Sequence, residues 1–182
     1  MKRILSLALF LSFSFQAAAQ FKINQETSNM YIDGTSSLHD WTETVETING
    51  SFNGTTEGNT LKAINSLSIT IPVESIKSGK SGMDKNTYKA LKSDKHPNIK
   101  FILKSQRIEG NNTYLKGNLT VAGTTKPVEV KAVYKLHGSE LKLEGKYDMK
   151  MTSFNVEPPT ALMGTIKTGD EITIRFNLVL NK

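Results

Sequence analysis

The chain has 182 residues, with 23 Lys and Arg against 17 Asp and Glu, three His and no Cys. Its formal charge of +6 is spread along the sequence, without the clustered basic stripe that nucleic-acid binding needs. Without thiols there is no disulfide framework, no thiolate metal site and no cysteine nucleophile.

The sequence opens "MKRILSLALFLSFSFQAAAQ". Lys2 and Arg3 precede an apolar run from Ile4 to Phe15, and Ala17, Ala18 and Ala19 supply small residues before Gln20. This pattern predicts a secretory signal peptide over residues 1–19, with a single domain over 20–182. The run is short for a membrane span, which takes roughly 20 apolar residues. Export of a cysteine-free chain points to a bacterial periplasm or exterior, with no stable membrane insertion.

Beyond Gln20 the chain reads as strands in succession. "MYID" and "ETVETINGSF" are predicted strands, the second with a bulge near Thr47. "SSLHDW" lies between them. Its Ser36 or Ser37, His39 and Asp40 are the letters of a hydrolytic triad. Triads are assembled across a fold rather than from sequence neighbours, and no Gly-x-Ser-x-Gly elbow is present. Trp41, the sole tryptophan, is expected in the core or against a ligand.

"INSLSITIPV" alternates, placing Leu67, Ile69, Ile71 and Val73 on one face. "SGMDKNTYKALKSDKHP" follows. Ser81 and Asp84 stand at capping-box spacing, Met83, Thr87 and Leu91 recur every fourth residue, and Pro97 ends the run. These features predict a helix of two to three turns, read either as a cover over a barrel rim or as a simple connector.

The remaining strands are "NIKFILKSQRI" (Ile99, Phe101, Leu103 inward), "TYLKGNLTV" (Leu115, Gly117, Leu119, Val121) and "KPVEVKAVYKL" (Val128, Val130, Ala132, Tyr134, Leu136). After them come "KLEGKYDMKMTSF" (Leu143, Gly145, Tyr147, Met149, Met151) and "EITIRFNLVL" (Ile172, Ile174, Phe176, Leu178, Leu180). Turn signals "EGNNT", "AGTTKP", "LHGSE" and "KTGDE" separate the runs. Short turns between long strands mean antiparallel neighbours. The expected fold is therefore all-β: an antiparallel barrel of about eight strands with one short inserted helix.

Gly117 and Gly145 stand at inward positions where a packed strand would carry Leu or Val. They either leave volume for a ligand or permit a sharp bend. Met149 and Met151 are flexible and polarizable, which suits an adaptable lining. Tyr134 and Tyr147 carry hydroxyls that want a partner at a cavity mouth. His39, His96 and His137 stand at no metal-ligand spacing. Asp84, Asp94 and Asp170 read as cap and turn residues.

Four separated stretches carry a family resemblance: "LSITIPVESIKSG", "YKALKSDKHPNIKF" (88–101), "LTVAGTTKPVEV" (119–130) and "MKMTSFNV". In this order they resemble the YceI-like family of exported lipid-binding proteins. The resemblance implies a lipocalin-like barrel and an isoprenoid or other long-chain lipid in an apolar tunnel. Phe101, Leu103, Tyr147, Met149, Met151 and Phe154 then become tunnel-lining residues. The wider expected ligand set adds Trp41, Leu67, Ile69, Ile71, Leu119, Val121, Tyr134, Ile174 and Phe176. Many members carry an Arg-Asp-x-His-Leu run at the helix entry. Here "GMDKNTYKAL" keeps only Asp84, which leaves the head group open.

The resulting expectation is a binding protein rather than an enzyme, with no cofactor and no metal, and with a homodimer left open. The rival reading is a structural or surface-interaction β-domain with a filled core and no ligand.

Overall fold

The structure is a computed structural model that describes residues 17–161 and 164–182. The apolar run Ile4 to Phe15, and with it most of the expected signal peptide, lies outside these residues. Twelve strands and one α-helix are described. In chain order the strands are β1 (Ala17–Ile23), β2 (Asn29–Ser36), β3 (Trp41–Val45), β4 (Asn49–Glu57), β5 (Thr60–Pro72) and β6 (Ile76–Lys77). The helix α1 (Ser81–Leu91) follows. Next come β7 (Asn98–Glu109), β8 (Asn112–Val121), β9 (Thr124–His137), β10 (Glu140–Lys150), β11 (Thr160–Ala161) and β12 (Ile166–Asn181).

All pairings are antiparallel, and eight strands close a ring in the order β1-β4-β5-β7-β8-β9-β10-β12 and back to β1. The expected barrel is thus present. Closure leaves each ring strand hydrogen-bonded on both sides, which removes exposed edges. The long β12 makes two kinds of contact along one edge. Its end pairs with β1 through Ile23↔Leu180, while its earlier residues pair with β2 from Thr168 to Asn177. β3 and then β6 continue the sheet from β2.

Alternation explains the interior. In β9 the inward Ala132, Tyr134 and Leu136 are buried while Lys131, Val133 and Lys135 are exposed. In β10, Leu141 and Leu143 are buried, and Lys142 and Glu144 beside them face solvent. The β8–β9 turn needs two successive positive φ values, 48° at Ala122 and 81° at Gly123. That is the tight hairpin geometry whose twist matches its strands. The His96 ring packs over Gly123, filling the place a side chain would take.

Three local expectations are corrected. "ETVETINGSF" is not one bulged strand: β3 ends at Val45, β4 begins at Asn49, and Ile48 between them is buried. Ser81 does not cap the helix, because the cap residue is Lys80 and makes no side-chain cap bond. The Asp84 carboxylate instead accepts from the Ser78 amide at 2.8 Å and the Ser78 hydroxyl at 2.6 Å. "KTGDE" is not a turn between strands. It runs inside β12, where the register with β2 shifts between Thr168 and Ile172.

Candidate functional site

The barrel interior changes character along its length. At one end Phe21, Phe52, Leu61, Leu141 and Leu180 are almost fully buried. The Phe21 and Phe52 rings meet edge to face with centroids 5.4 Å apart, a favourable aromatic geometry. Toward the other end the side chains stop meeting across the axis. A cavity of about 520 Å³ opens above Leu115, Leu143 and Leu178. That volume lies within the range of small-molecule sites.

The wall follows from the strand registers. On β10 and β12, Gly145 pairs with Phe176, Tyr147 with Ile174 and Met149 with Ile172, so each rung contributes apolar groups to one face. Trp41, Leu67, Ile69, Ile71, Phe101, Leu119, Val121, Tyr147, Met149, Met151, Ile174 and Phe176 all line the cavity. The helix α1 contributes Met83, Thr87, Ala90 and Leu91, so it covers the cavity rather than merely connecting two strands. Tyr88 is one of its ties, alongside Thr87 bonded to Glu43 and Asp84 bonded to Ser78. The Tyr88 hydroxyl lies 3.0 Å from the Glu74 carbonyl and 3.1 Å from the Ile76 carbonyl, and this hydroxyl accepts from the Lys77 ammonium at 2.6 Å.

Three expected residues stand elsewhere. Tyr134 is 3% exposed and lies below the cavity floor. Its hydroxyl accepts from the Leu61 amide at 3.3 Å rather than from a partner at the mouth. Leu103 packs partly buried against the filled core, next to the register shift that follows it in β7. Phe154, in the 3-10 turn Met151–Phe154, packs behind the wall with Val121, Met151 and Val156.

The inward glycines do not leave empty volume. A Cβ on Gly117 would lie 2.5 Å from the tip of the Phe101 ring, and one on Gly145 would lie 2.7 Å from the tip of Phe176. The Trp41 ring likewise lies over Gly34, its β2 partner. In each case the missing side chain lets an aromatic ring lie close to the wall. All three rings line the cavity.

The polar groups divide into rim and interior. "SSLHDW" forms a turn at the rim. The Ser36 hydroxyl donates to the His39 carbonyl at 2.7 Å, and His39 Nδ1 pairs with the Asp40 carbonyl oxygen at 2.7 Å. The Ser37 hydroxyl accepts from the Lys167 amide at 3.1 Å. The Ser36 and His39 side chains therefore serve the turn, Ser37 ties it to β12, and Asp40 contributes its backbone carbonyl. No Ser–His or His–Asp side-chain bond joins them among the described residues. Lys80, also on the rim, is exposed. Among the described residues no group of three His, Asp or Glu is placed to hold a metal ion.

Inside, the sequence reading missed Glu43. It faces inward on β3 between Trp41 and Val45, is 2% exposed and lines the cavity. Burial pushes its carboxyl above the ordinary range, and the nearby Asp84 adds to this, while the Thr87 hydroxyl, donating at 2.6 Å, opposes it. The signal was available: "WTETV" read at period two puts a glutamate among inward residues. Tyr147, half-buried in the opposite wall, has its hydroxyl pKa raised by burial.

A closed antiparallel barrel, filled at one end, hollow and apolar at the other, and covered there by a short helix, has the architecture of a binding protein for an apolar ligand. The sequence matches the YceI-like domain over residues 18–180, and the chain belongs to that family. No curated protein sequence matches it. Among solved structures, Burkholderia cenocepacia BcnA is similar over 86% of this chain and 98% of its own, at 19% identity and a TM-score of 0.73. A polyisoprenoid binding domain from Saccharophagus degradans, implicated in plant cell wall breakdown, covers 88% of this chain and 97% of its own. Its identity is 10% and its TM-score 0.68. The Campylobacter jejuni YCEI protein covers all of this chain and 93% of its own, at 14% identity and a TM-score of 0.62.

Proposed function

We propose that the protein is an exported carrier or sequestering protein for a long-chain isoprenoid-type lipid, held with its chain in the barrel cavity. The observation that carries this reading is the cavity itself: an apolar hollow in a fold whose other end is closely packed. Each methylene moved from water into such a wall contributes about 0.8 kcal/mol. A long chain is then retained by apolar contact, without catalysis and without a cofactor. The polyisoprenoid binding domain from Saccharophagus degradans supports the choice of lipid class.

Export to the periplasm is supported by the N-terminal sequence pattern. No described helix is long and apolar enough to cross a membrane. The family match begins at residue 18 and β1 at Ala17, just ahead of the expected mature start at Gln20. Gln20 and Phe21 pair with Asn53 and Phe52, so cleavage there would keep this part of β1 in the barrel.

Mass spectrometry of an organic extract from natively purified protein tests the proposal. A prenyl-chain lipid in stoichiometric amount is expected. Protein that yields no lipid and takes up none from prenyl-lipid vesicles would favour a structural β-domain.

A further inference from the structure

An acidic side chain inside an apolar cavity needs a reason. Glu43 has no Lys, Arg or His within salt-bridge distance among the described residues. The one hydrogen bond it receives from them, from Thr87, goes to Oε1. Oε2 receives none. An ionised carboxylate buried without a cation is costly by several kcal/mol, whereas a protonated one is both a donor and an acceptor.

We propose that Glu43 is a specificity-determining residue that hydrogen-bonds an uncharged oxygen head, an alcohol, phenol or quinone carbonyl, and disfavours phosphate esters inside the cavity. The inference rests on the carrier reading of the same cavity. The neutral carboxyl donates to the head oxygen while Oε1 stays engaged by Thr87. A phosphate in that place would bring charge into an apolar wall with no cation to meet it. The basic groups of the cavity, Lys80 and His39, are exposed at the rim. A phosphorylated head would be held there, pointing outward. The purely structural alternative is that Glu43 only fastens α1 through Thr87.

Trp41 lines the cavity and is the sole tryptophan, so its emission reports entry of a ligand. The full-length mature protein, stripped of lipid, is titrated with geranylgeraniol, its monophosphate and the matching hydrocarbon, each delivered from cyclodextrin. The alcohol should bind about five- to tenfold more tightly than the hydrocarbon, the gain of one hydrogen bond. The monophosphate should bind more weakly than the alcohol by about tenfold or more. Glu43→Leu should erase the preference for alcohol over hydrocarbon while leaving hydrocarbon binding intact. Glu43→Gln, which keeps a donor and an acceptor, should retain it.

Thr87→Val removes the helix fastening but leaves the carboxyl, and the preference should survive. Loss of the preference in Thr87→Val as in Glu43→Leu would overturn the proposal, because Glu43 would then act through the helix. So would equal binding of the alcohol and the monophosphate. Equal binding of all three probes defeats the head-group inference and leaves the carrier reading standing. Binding of none, with Trp41 emission unchanged, removes both.

Discussion

The filled and hollow ends of the barrel are built from the same strands. β8, β9 and β10 run from one end to the other in alternation, while β5 and β12 do so across register shifts, and the inward residues of all five are mainly apolar at both ends. At the filled end, Phe21, Phe52, Leu61, Leu141 and Leu180 interlock, and β1 closes the ring. At the hollow end β2 takes over the edge of β12, followed by β3 and β6, and these strands add Met30, Ile32, Trp41, Glu43 and Ile76 to the cavity wall. The cavity there is roofed by α1. Hollowness therefore goes with the entry of β2 and β3 into the wall, not with any loss of apolar character in the walls.

The largest expected effect separates the two ends directly. Phe52 is fully buried and packs edge to face on Phe21. Phe52→Ala removes that contact and leaves a void in a dense core, at a cost of about 3–5 kcal/mol. Met149→Lys, on the cavity wall near the mouth, should cost the lipid-free protein about 1 kcal/mol or less, because a lysine can extend its ammonium to water. Its effect falls on binding: lipid retention should be lost, since the charge must lie against the apolar chain. Thermal melts of delipidated protein, beside lipid extraction, measure both. Comparable destabilisation by the two substitutions would mean that the hollow end is packed in solution.

The sequence shows which way a side chain faces but not how deep it lies. Period-two reading put Tyr134 and Tyr147 on the inner face alike. Only the antiparallel register shows that Tyr134 sits below the floor and Tyr147 above it. Leu103 failed for a similar reason, since the register shift after it is invisible in the pattern "FILKSQRI". Phe154 was expected from the family resemblance and not from phase, and it lies in a 3-10 turn, where strand alternation does not apply. Glu43 is legible only when "WTETV" is read as a strand of its own, because "ETVETINGSF" taken as one strand has no clear phase. The closed barrel and the covering helix were legible because each rests on a pattern many residues long.

A smaller effect is expected at Gly145, and its direction is opposite to that of a glycine kept only to leave room for a ligand. A glycine that merely left room would accept valine with no loss, or even a gain, of stability. In the structure a Cβ at Gly145 would lie 2.5 Å from the Lys131 carbonyl oxygen and 3.2 Å from the Ala132 Cα, both on the backbone of β9. The Phe176 ring would also be displaced from the wall. Gly145→Val should therefore destabilise the lipid-free protein by about 1–3 kcal/mol and narrow the bore as Phe176 moves inward. A melting temperature at or above wild type would show that β9 and Phe176 yield freely.

The smallest effect is a pH-dependent one at the hollow end. Burial raises the Glu43 carboxyl above its ordinary 4.5, the nearby Asp84 acting in the same direction and the Thr87 hydrogen bond against it. The folded protein thus holds this proton more tightly than the unfolded chain does. Below the ordinary value both states are protonated, and the stabilising difference is fully present. As pH rises the unfolded chain ionises first, and stability falls until the raised folded value is passed. Glu43→Gln cannot ionise, so its melting temperature should gain on that of wild type as pH rises through this window and then stay level. Asp33, Asp84, Asp148 and Asp170, whose carboxyls are held below the usual range by hydrogen bonds, change stability in the opposite sense. They are common to both proteins and cancel in the difference. Asp84 alone faces Glu43, and it ionises below the window. Of the other groups near the cavity, Thr87 does not titrate, and Lys80 and His39 lie exposed at the rim. Paired melts of the two proteins across the acidic to neutral range test this. A difference that shrinks with rising pH would mean that Glu43 is ionised and compensated in the fold, and that the hollow end is more polar than its walls suggest.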